Sequence, residues 1–139
     1  MQGFIHHMKI EDIKTNDHLS EAHISLKQIP LLGTRISQSL HIPETEAAIY
    51  LLEALRFLDL VDIAEKNTPS VKVDDVWHEF ILFTRDYTNY CIKRYNRYIH
   101  HSPGGTIENN RKQFKHSLKL YSLYFGKPRV TLGVLITLI

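Results

Sequence analysis

The chain is poor in several residue types, and each shortage excludes a class of protein. It has one cysteine, Cys91, in 139 residues, so it cannot form an internal disulfide and is not a disulfide-stabilised scaffold. Met1 is followed by Gln-Gly-Phe-Ile-His-His, which lacks the basic start and long apolar run of a secretory signal. Together these features predict a reducing, cytoplasmic setting.

Long apolar runs and a strong net charge are also missing. The apolar run from Val130 to Ile139 is shorter than the roughly 20 residues of a membrane-spanning helix, so no membrane association is expected. Lys and Arg total 17 against 15 Asp and Glu, and the resulting charge of +2 disfavours nucleic acid as a partner. The uncharged, apolar tail would promote aggregation if it were exposed to solvent. It is therefore a candidate contact with a protein partner or with a second copy of the chain.

The apolar pattern predicts an all-α fold, with residues 1–139 as a single helical domain. We expect a compact bundle of four to five helices between an N-terminal arm at 1–14 and an apolar tail at 129–139 that can form a short strand. The expected helices are 17–28, 43–65, 73 to 95 or 98, and 107–125, with a short helical turn through Ile36 and Leu40. The helix at 43–65 is apolar on more than one face, which predicts a central core helix.

Residues 72–103 contain the only Trp, the only Cys and three of the nine His of the chain. On one helix, Trp77, Phe80 and Cys91 fall on a single stripe, which predicts that they belong to the core. The remaining His residues are scattered among polar neighbours without ligand spacing and are expected to lie on the surface without a functional role: His6, His7, His18, His23, His41 and His116.

His78 lies outside this stripe, one helical turn after Asp74, and the two could share a hydrogen bond or a metal ion. On one straight helix, about 20 Å separates His78 from Cys91, so those two residues cannot share an ion. His100 and His101 follow the expected helix end and can fold back. Two metal sites are therefore open: Cys91 with His100 or His101, and Asp74 with His78 and a returning His. Zinc is the expected ion.

A second pattern offers a different function. Lys93, Arg94 and Arg97 alternate with Tyr95 and Tyr98, and cations interleaved with aromatic rings are suited to phosphate contacts and base stacking. A solvated helix end explains the same pattern. Gly104-Gly105 is not a phosphate-binding loop, because no strand precedes it and no Gly-Lys-Ser/Thr follows it.

The motif Val73-Asp-x-x-Trp-His-x-Phe-Ile-Leu-x-Thr-x-x-Tyr-x-x-Tyr-Cys91, followed by Tyr98-Ile-His-His-x-Pro103 and Tyr121-x-x-Tyr-Phe-Gly-x-Pro128, resembles the glycine-rich domain-containing protein-like family. The resemblance covers about residues 50–128. It implies a compact helical domain of unknown function in which Asp74, Trp77, His78, Cys91, His100 and His101 occupy the motif positions. Some relatives have a second His where this chain has Phe80, and the glycine-rich tail of the longer relatives is absent.

These observations predict a small cytoplasmic domain with a buried polar or metal-binding site, formed by the Asp-x-x-Trp-His, Cys and His-His elements. Such a domain would act as a binding or regulatory module. One alternative is a metal-dependent enzyme in which Asp74 and His78 hold an ion with an open position for water or substrate. A further alternative is a nucleic-acid or protein interaction module that uses Lys93, Arg94 and Arg97.

Overall fold

The computed structural model describes residues 17–64, 67–101, 106–127, 130–131 and 134–135. The helices are α1 (His18–Gln28), α2 (Pro30–Leu40), α3 (Ala47–Ile63), α4 (Val71–Leu82), α5 (Thr84–Tyr95) and α6 (Ile107–Phe125), with a 3₁₀ turn at Glu44–Glu46. Two short strands, β1 (Val130–Thr131) and β2 (Val134–Leu135), pair antiparallel, with Val130 opposite Leu135. The predicted all-α class is confirmed. The predicted N-terminal arm lies outside the described residues.

Helix α3 is the centre of the bundle, as predicted. Thirteen of its 17 residues are buried, because its apolar side chains cover more than one face. Helices α1 and α4 pack against it, and α4 also packs against α2. A smaller apolar cluster of Leu60, Ile63, Tyr121 and Tyr124 joins α3 to α6. No helix in the described residues combines the length and apolarity needed to cross a membrane.

The helix expected to run from residue 73 to 95 is in fact two helices, α4 and α5. They are divided at Phe83, whose φ of −89° and ψ of 69° are not helical. Residues 81–86 contain neither Gly nor Pro, so nothing local signals the break. Tertiary packing favours it instead, since the Phe80 and Tyr87 rings meet edge to face at 5.1 Å across the break. The described residues therefore contain six α-helices, where four or five were expected.

The chain reverses direction after α5 and returns toward α4. Asn96 ends α5 in the left-handed conformation, with φ 58°, which Asn tolerates better than most residues. The returning segment, residues 97–101, is held by Tyr87, whose O–H donates to the Ile99 carbonyl at 2.6 Å. The same hydroxyl oxygen accepts a hydrogen bond from Trp77 Nε1 at 2.9 Å. All three residues are buried, so this relay fixes the returning chain to both helices.

Removing the Tyr87 hydroxyl tests the importance of this relay. Tyr87→Phe leaves the Trp77 N–H and the Ile99 carbonyl buried without partners, and we expect a loss of about 1–3 kcal/mol in the free energy of unfolding. Tyr98→Phe is the matched control, because Tyr98 is only half-buried and its hydroxyl has no hydrogen bond among the described residues. Urea denaturation followed by Trp77 fluorescence measures both variants. Equal stability of the two would show that the relay contributes little.

Candidate functional site

Asp74 and His78 form the fixed half of the site. Ser70 caps α4 by accepting a hydrogen bond from the Val73 N–H at 3.1 Å, which starts the helix just before Asp74. Asp74 therefore lies in the first turn, where the helix dipole favours a negative charge. His78 follows one turn later and is exposed. The helix thus presents a carboxylate and an imidazole side by side.

His101 completes the site from the returning segment. Its Nε2 lies 2.6 Å from Asp74 Oδ1, and because an ionised carboxylate only accepts, His101 is the donor. Its ring centroid is 4.2 Å from that of His78 and 4.4 Å from that of Trp77. One ligand atom from each of Asp74, His78 and His101 lies within 4.8 Å of the others. Of the two predicted sites, the structure assembles Asp74 and His78 with a returning His.

Cys91 and His100 belong to other surroundings. Cys91 is fully buried in the main core, where burial raises the pKa of its thiol although a backbone hydrogen bond at Ile99 opposes the rise. His100 is exposed, and its ring lies 4.6 Å from that of Tyr98. The returning residues alternate, with Ile99 inside, His100 outside and His101 half-buried. This alternation explains why only one of the two adjacent His residues reaches Asp74.

A second carboxylate adds negative charge beside the site. Asp75 is next to Asp74, and the pKa of its carboxyl is raised by burial first and then by the charge of Asp74. Glu79, on the same helix, is paired with Arg35 at 2.8 Å, which offsets its charge. Repulsion between Asp74 and Asp75 means that a cation bound at Asp74 would stabilise both ionised carboxylates.

A buried charge network was not predicted from the sequence. Asp59, on the buried face of α3, accepts hydrogen bonds from Arg94 Nε at 2.8 Å, Arg94 Nη2 at 2.9 Å, His18 Nε2 at 2.6 Å and the Tyr95 hydroxyl. His18 is fully buried, whereas the sequence predicted that it lies on the surface. The signal in the sequence was Asp59 itself, a charge between Leu58 and Leu60 in a helix predicted to be core. It could not have identified the partners, which lie 35 or more positions away.

The predicted basic cluster is largely occupied by internal contacts. Arg94 is committed to Asp59, and Arg97 Nε lies 3.1 Å from Asp62 Oδ1. Tyr95 donates to Asp59, and Tyr98 packs against Tyr87 at a centroid distance of 5.2 Å. Lys93 is exposed on α5. The carboxylate partners of Arg94 and Arg97 offset the positive charge that this cluster would offer to phosphates.

A comparison with models of known protein families identifies the family of the chain. The model of the UCP032817-like family matches residues 27–126, which is most of the chain and includes α4, α5 and the site. The chain belongs to the UCP032817-like family. The resemblance to the glycine-rich domain-containing protein-like family was therefore wrong.

The UCP032817-like family is uncharacterised, so membership brings no activity with it. The motif residues from Asp74 to Gly126 all lie inside the UCP032817-like match, and their order alone did not separate the two families. Neither the search of curated proteins nor that of solved structures found a match.

Neutralising Asp59 tests the buried network. In Asp59→Asn the amide NH₂ would face donors on His18 and Arg94, and the guanidinium would lose its buried counter-ion, so we expect a loss of about 3–5 kcal/mol in the free energy of unfolding. Asp62→Asn breaks the more exposed pair with Arg97 and should cost less than about 1 kcal/mol. Chemical denaturation at neutral pH measures both. Equal losses of stability in Asp59→Asn and Asp62→Asn would show that the buried network contributes no more than the exposed ion pair.

The pH dependence provides a second test of this network. Burial raises the pKa of Asp59, but hydrogen bonds from His18 and Arg94 outweigh burial and hold the folded-state pKa below the ordinary value of 3.8. Stability from a lowered carboxyl pKa is complete above the unfolded value and is lost as the pH falls through the folded value. The stability advantage of the wild type over Asp59→Asn should thus shrink as the pH falls below about 4. An advantage that does not shrink below about pH 4 would contradict this assignment.

Proposed function

We propose that Asp74, His78 and His101 bind a divalent transition-metal ion, and that the protein acts as a metal-binding or regulatory module. The observation that carries this proposal is the convergence of two imidazoles and one carboxylate with ligand atoms within 4.8 Å of one another. Imidazole nitrogen and carboxylate oxygen are ligands that zinc accepts readily, so zinc is the ion we propose. The free, buried Cys91 fits the cytoplasmic setting expected from the sequence.

Small movements would convert the hydrogen-bonded arrangement into a coordination shell. Zinc binds nitrogen and oxygen at about 2.0–2.2 Å, so tetrahedral ligand atoms lie roughly 3.4 Å apart. The Asp74–His101 pair, now at 2.6 Å, would open by less than about 1 Å, and the proton between them would leave as the ion enters. His78 is exposed, so its ring can turn toward the other two ligands without disturbing the core.

The surrounding structure prepares the site. Asp74 and His78 are held one turn apart by α4, and His101 is held by its contact with Trp77 and by the bond from Tyr87 to Ile99. A site whose ligands are oriented beforehand loses less entropy when it binds. The negative charge of Asp75 beside Asp74 adds to the attraction for a cation.

A metal-dependent enzyme is the second candidate. Three protein ligands leave a coordination position for water or substrate, as in catalytic zinc sites, whereas structural sites use four protein ligands. The exposed side of His78 and the partly exposed Asp74 carboxylate would put that position in contact with solvent. Substitution with Co²⁺ tests this reading, because its visible spectrum reports coordination. A spectrum that shifts when a small anion is added supports an open position, and one that does not respond favours the binding module.

Metal analysis tests the proposal itself. Untagged protein exposed to Zn²⁺ and then dialysed without chelator should retain about one ion per chain, and His78→Ala, Asp74→Asn and His101→Ala should each weaken binding by at least about tenfold in calorimetry. His23→Ala removes an exposed His from α1 and is the matched control. Retention of less than about a tenth of an ion per chain, or equal binding by His23→Ala and His78→Ala, would refute the site.

Thermal melts separate binding from folding. His78 is exposed, so His78→Ala without metal should melt as the wild type does. With Zn²⁺ in excess, the wild type should gain several degrees in Tm because the ion binds only the folded state, and His78→Ala should gain less. A gain of the same size in both proteins would place the ion elsewhere.

A further inference from the structure

The modest net charge of the chain conceals an uneven distribution. Residues 17–101 contain twelve Asp and Glu against nine Lys and Arg, whereas residues 102–139 contain one acidic residue and six basic ones. Four of those six basic residues lie on α6. A marked charge asymmetry between parts of a chain is typical of proteins that contact a polyanion. Helix α6 therefore carries most of the positive charge that a polyanion could contact.

One face of α6 is firmly attached to the bundle. Tyr121 is buried, and its O–H donates to Glu53 Oε1 at 2.6 Å while its oxygen accepts from Arg56 Nη1 at 2.9 Å. The Arg56 guanidinium also lies 5.1 Å from the centroid of the Phe125 ring. Because both Glu53 and Arg56 belong to α3, these contacts fix the rotation of α6 about its axis. The opposite face is held toward solvent.

That opposite face carries five basic residues and one acidic residue, Glu108 in its first turn, and we call it the α6 basic face. Its basic members are exposed and recur at spacings of one, three and four residues: Arg111, Lys112, Lys115, His116 and Lys119. None of them has an ion-pair partner in the parts of the chain that the structure describes. They extend along about 12 Å of helix. The four Lys and Arg charges are therefore all available to an anionic partner.

We propose that the α6 basic face binds the phosphate backbone of double-stranded nucleic acid without reading its sequence. A duplex carries roughly one negative charge per 1.7 Å of its axis, so a row of cations about 12 Å long meets several phosphates at any register. Insertion of an amphipathic helix into a membrane needs a continuous free apolar face, whereas Tyr121 and Tyr124 of α6 are packed on α3 and its exposed large apolar side chains, Ile107 and Leu123, lie at opposite ends of the helix. An acidic protein would have to match this row with carboxylates at one fixed spacing, whereas phosphates are present at every position.

The contrast with α5 strengthens this assignment. The Arg94 and Arg97 side chains have carboxylate partners within 3.1 Å, whereas the α6 cations have none among the described residues. Releasing counter-ions from the duplex requires cations that are not already neutralised within the protein. The face best suited to phosphate is thus on α6, and not at the basic and aromatic cluster visible in the sequence.

Fluorescence anisotropy with a short labelled DNA duplex and an RNA duplex of the same length tests the proposal on the full chain. We expect binding that weakens steeply between about 50 and about 200 mM salt. Replacing Lys112, Lys115 and Lys119 together by Gln should lower affinity at least about tenfold and reduce the salt slope by about 2–3. The matched control replaces Lys27, Arg85 and Lys93, which are exposed on other helices, by Gln. It changes the net charge equally and should bind nearly as the wild type does.

Four results would overturn the proposal. The wild type could fail to bind either duplex, or the two triple variants could bind alike, which would reduce the effect to overall charge. Phosphatidylserine vesicles could bind more tightly than the duplexes at equal salt, which would make a lipid surface the partner. Poly-glutamate could displace the duplex at an equal concentration of charge, which would make an acidic protein the partner. Circular dichroism confirms that both variants are folded, as expected for exposed positions.

Discussion

The arrangement of the helices depends on one carboxylate inside the core, that of Asp59, which requires hydrogen-bond donors around it. Asp59 projects from α3 into a region without solvent, where an unpaired charge would be very costly. Its two oxygens accept four hydrogen bonds, from His18 at the start of α1 and from Arg94 and Tyr95 at the end of α5. One charge therefore determines where two other helices lie against α3. Apolar packing alone would allow more freedom, because it has little directionality.

The candidate site is a consequence of that placement. With the end of α5 held at Asp59, the chain must turn at Asn96 and run back beside α4. Tyr87 fixes the returning backbone at Ile99, and the alternation of side chains turns His101 toward Asp74. The ligands thus come from a regular helix and from an irregular segment that two buried hydrogen bonds hold in place. This combination is common in sites that must be both defined and accessible.

Local pattern was sufficient to predict some of this structure. The all-α class, the central position of α3 and the burial of Trp77 and Phe80 follow from apolar spacing, which depends on neighbours within a few residues. The position of His78 one helical turn after Asp74 follows from helical geometry in the same way. Other features depend on distant partners. The break at Phe83 has no Gly or Pro to mark it, and the choice of His101 over His100 depends on a bond between Tyr87 and a backbone carbonyl 12 residues later. The whole-chain charge, likewise, did not reveal the basic face of α6, because acidic residues elsewhere offset it.

The relay through Tyr87 also limits how this chain can vary in length. Trp77, Tyr87 and Ile99 are linked at separations of 10 and 12 residues, and the first separation spans a connection of one non-helical residue at Phe83. Inserting one residue into a helix rotates all that follows by about 100°, which would turn either Tyr87 or the returning chain away from its partner. A one-residue insertion or deletion in α5 after Tyr87, or in α4 after Trp77, should therefore break the relay, even where the added side chain would be exposed.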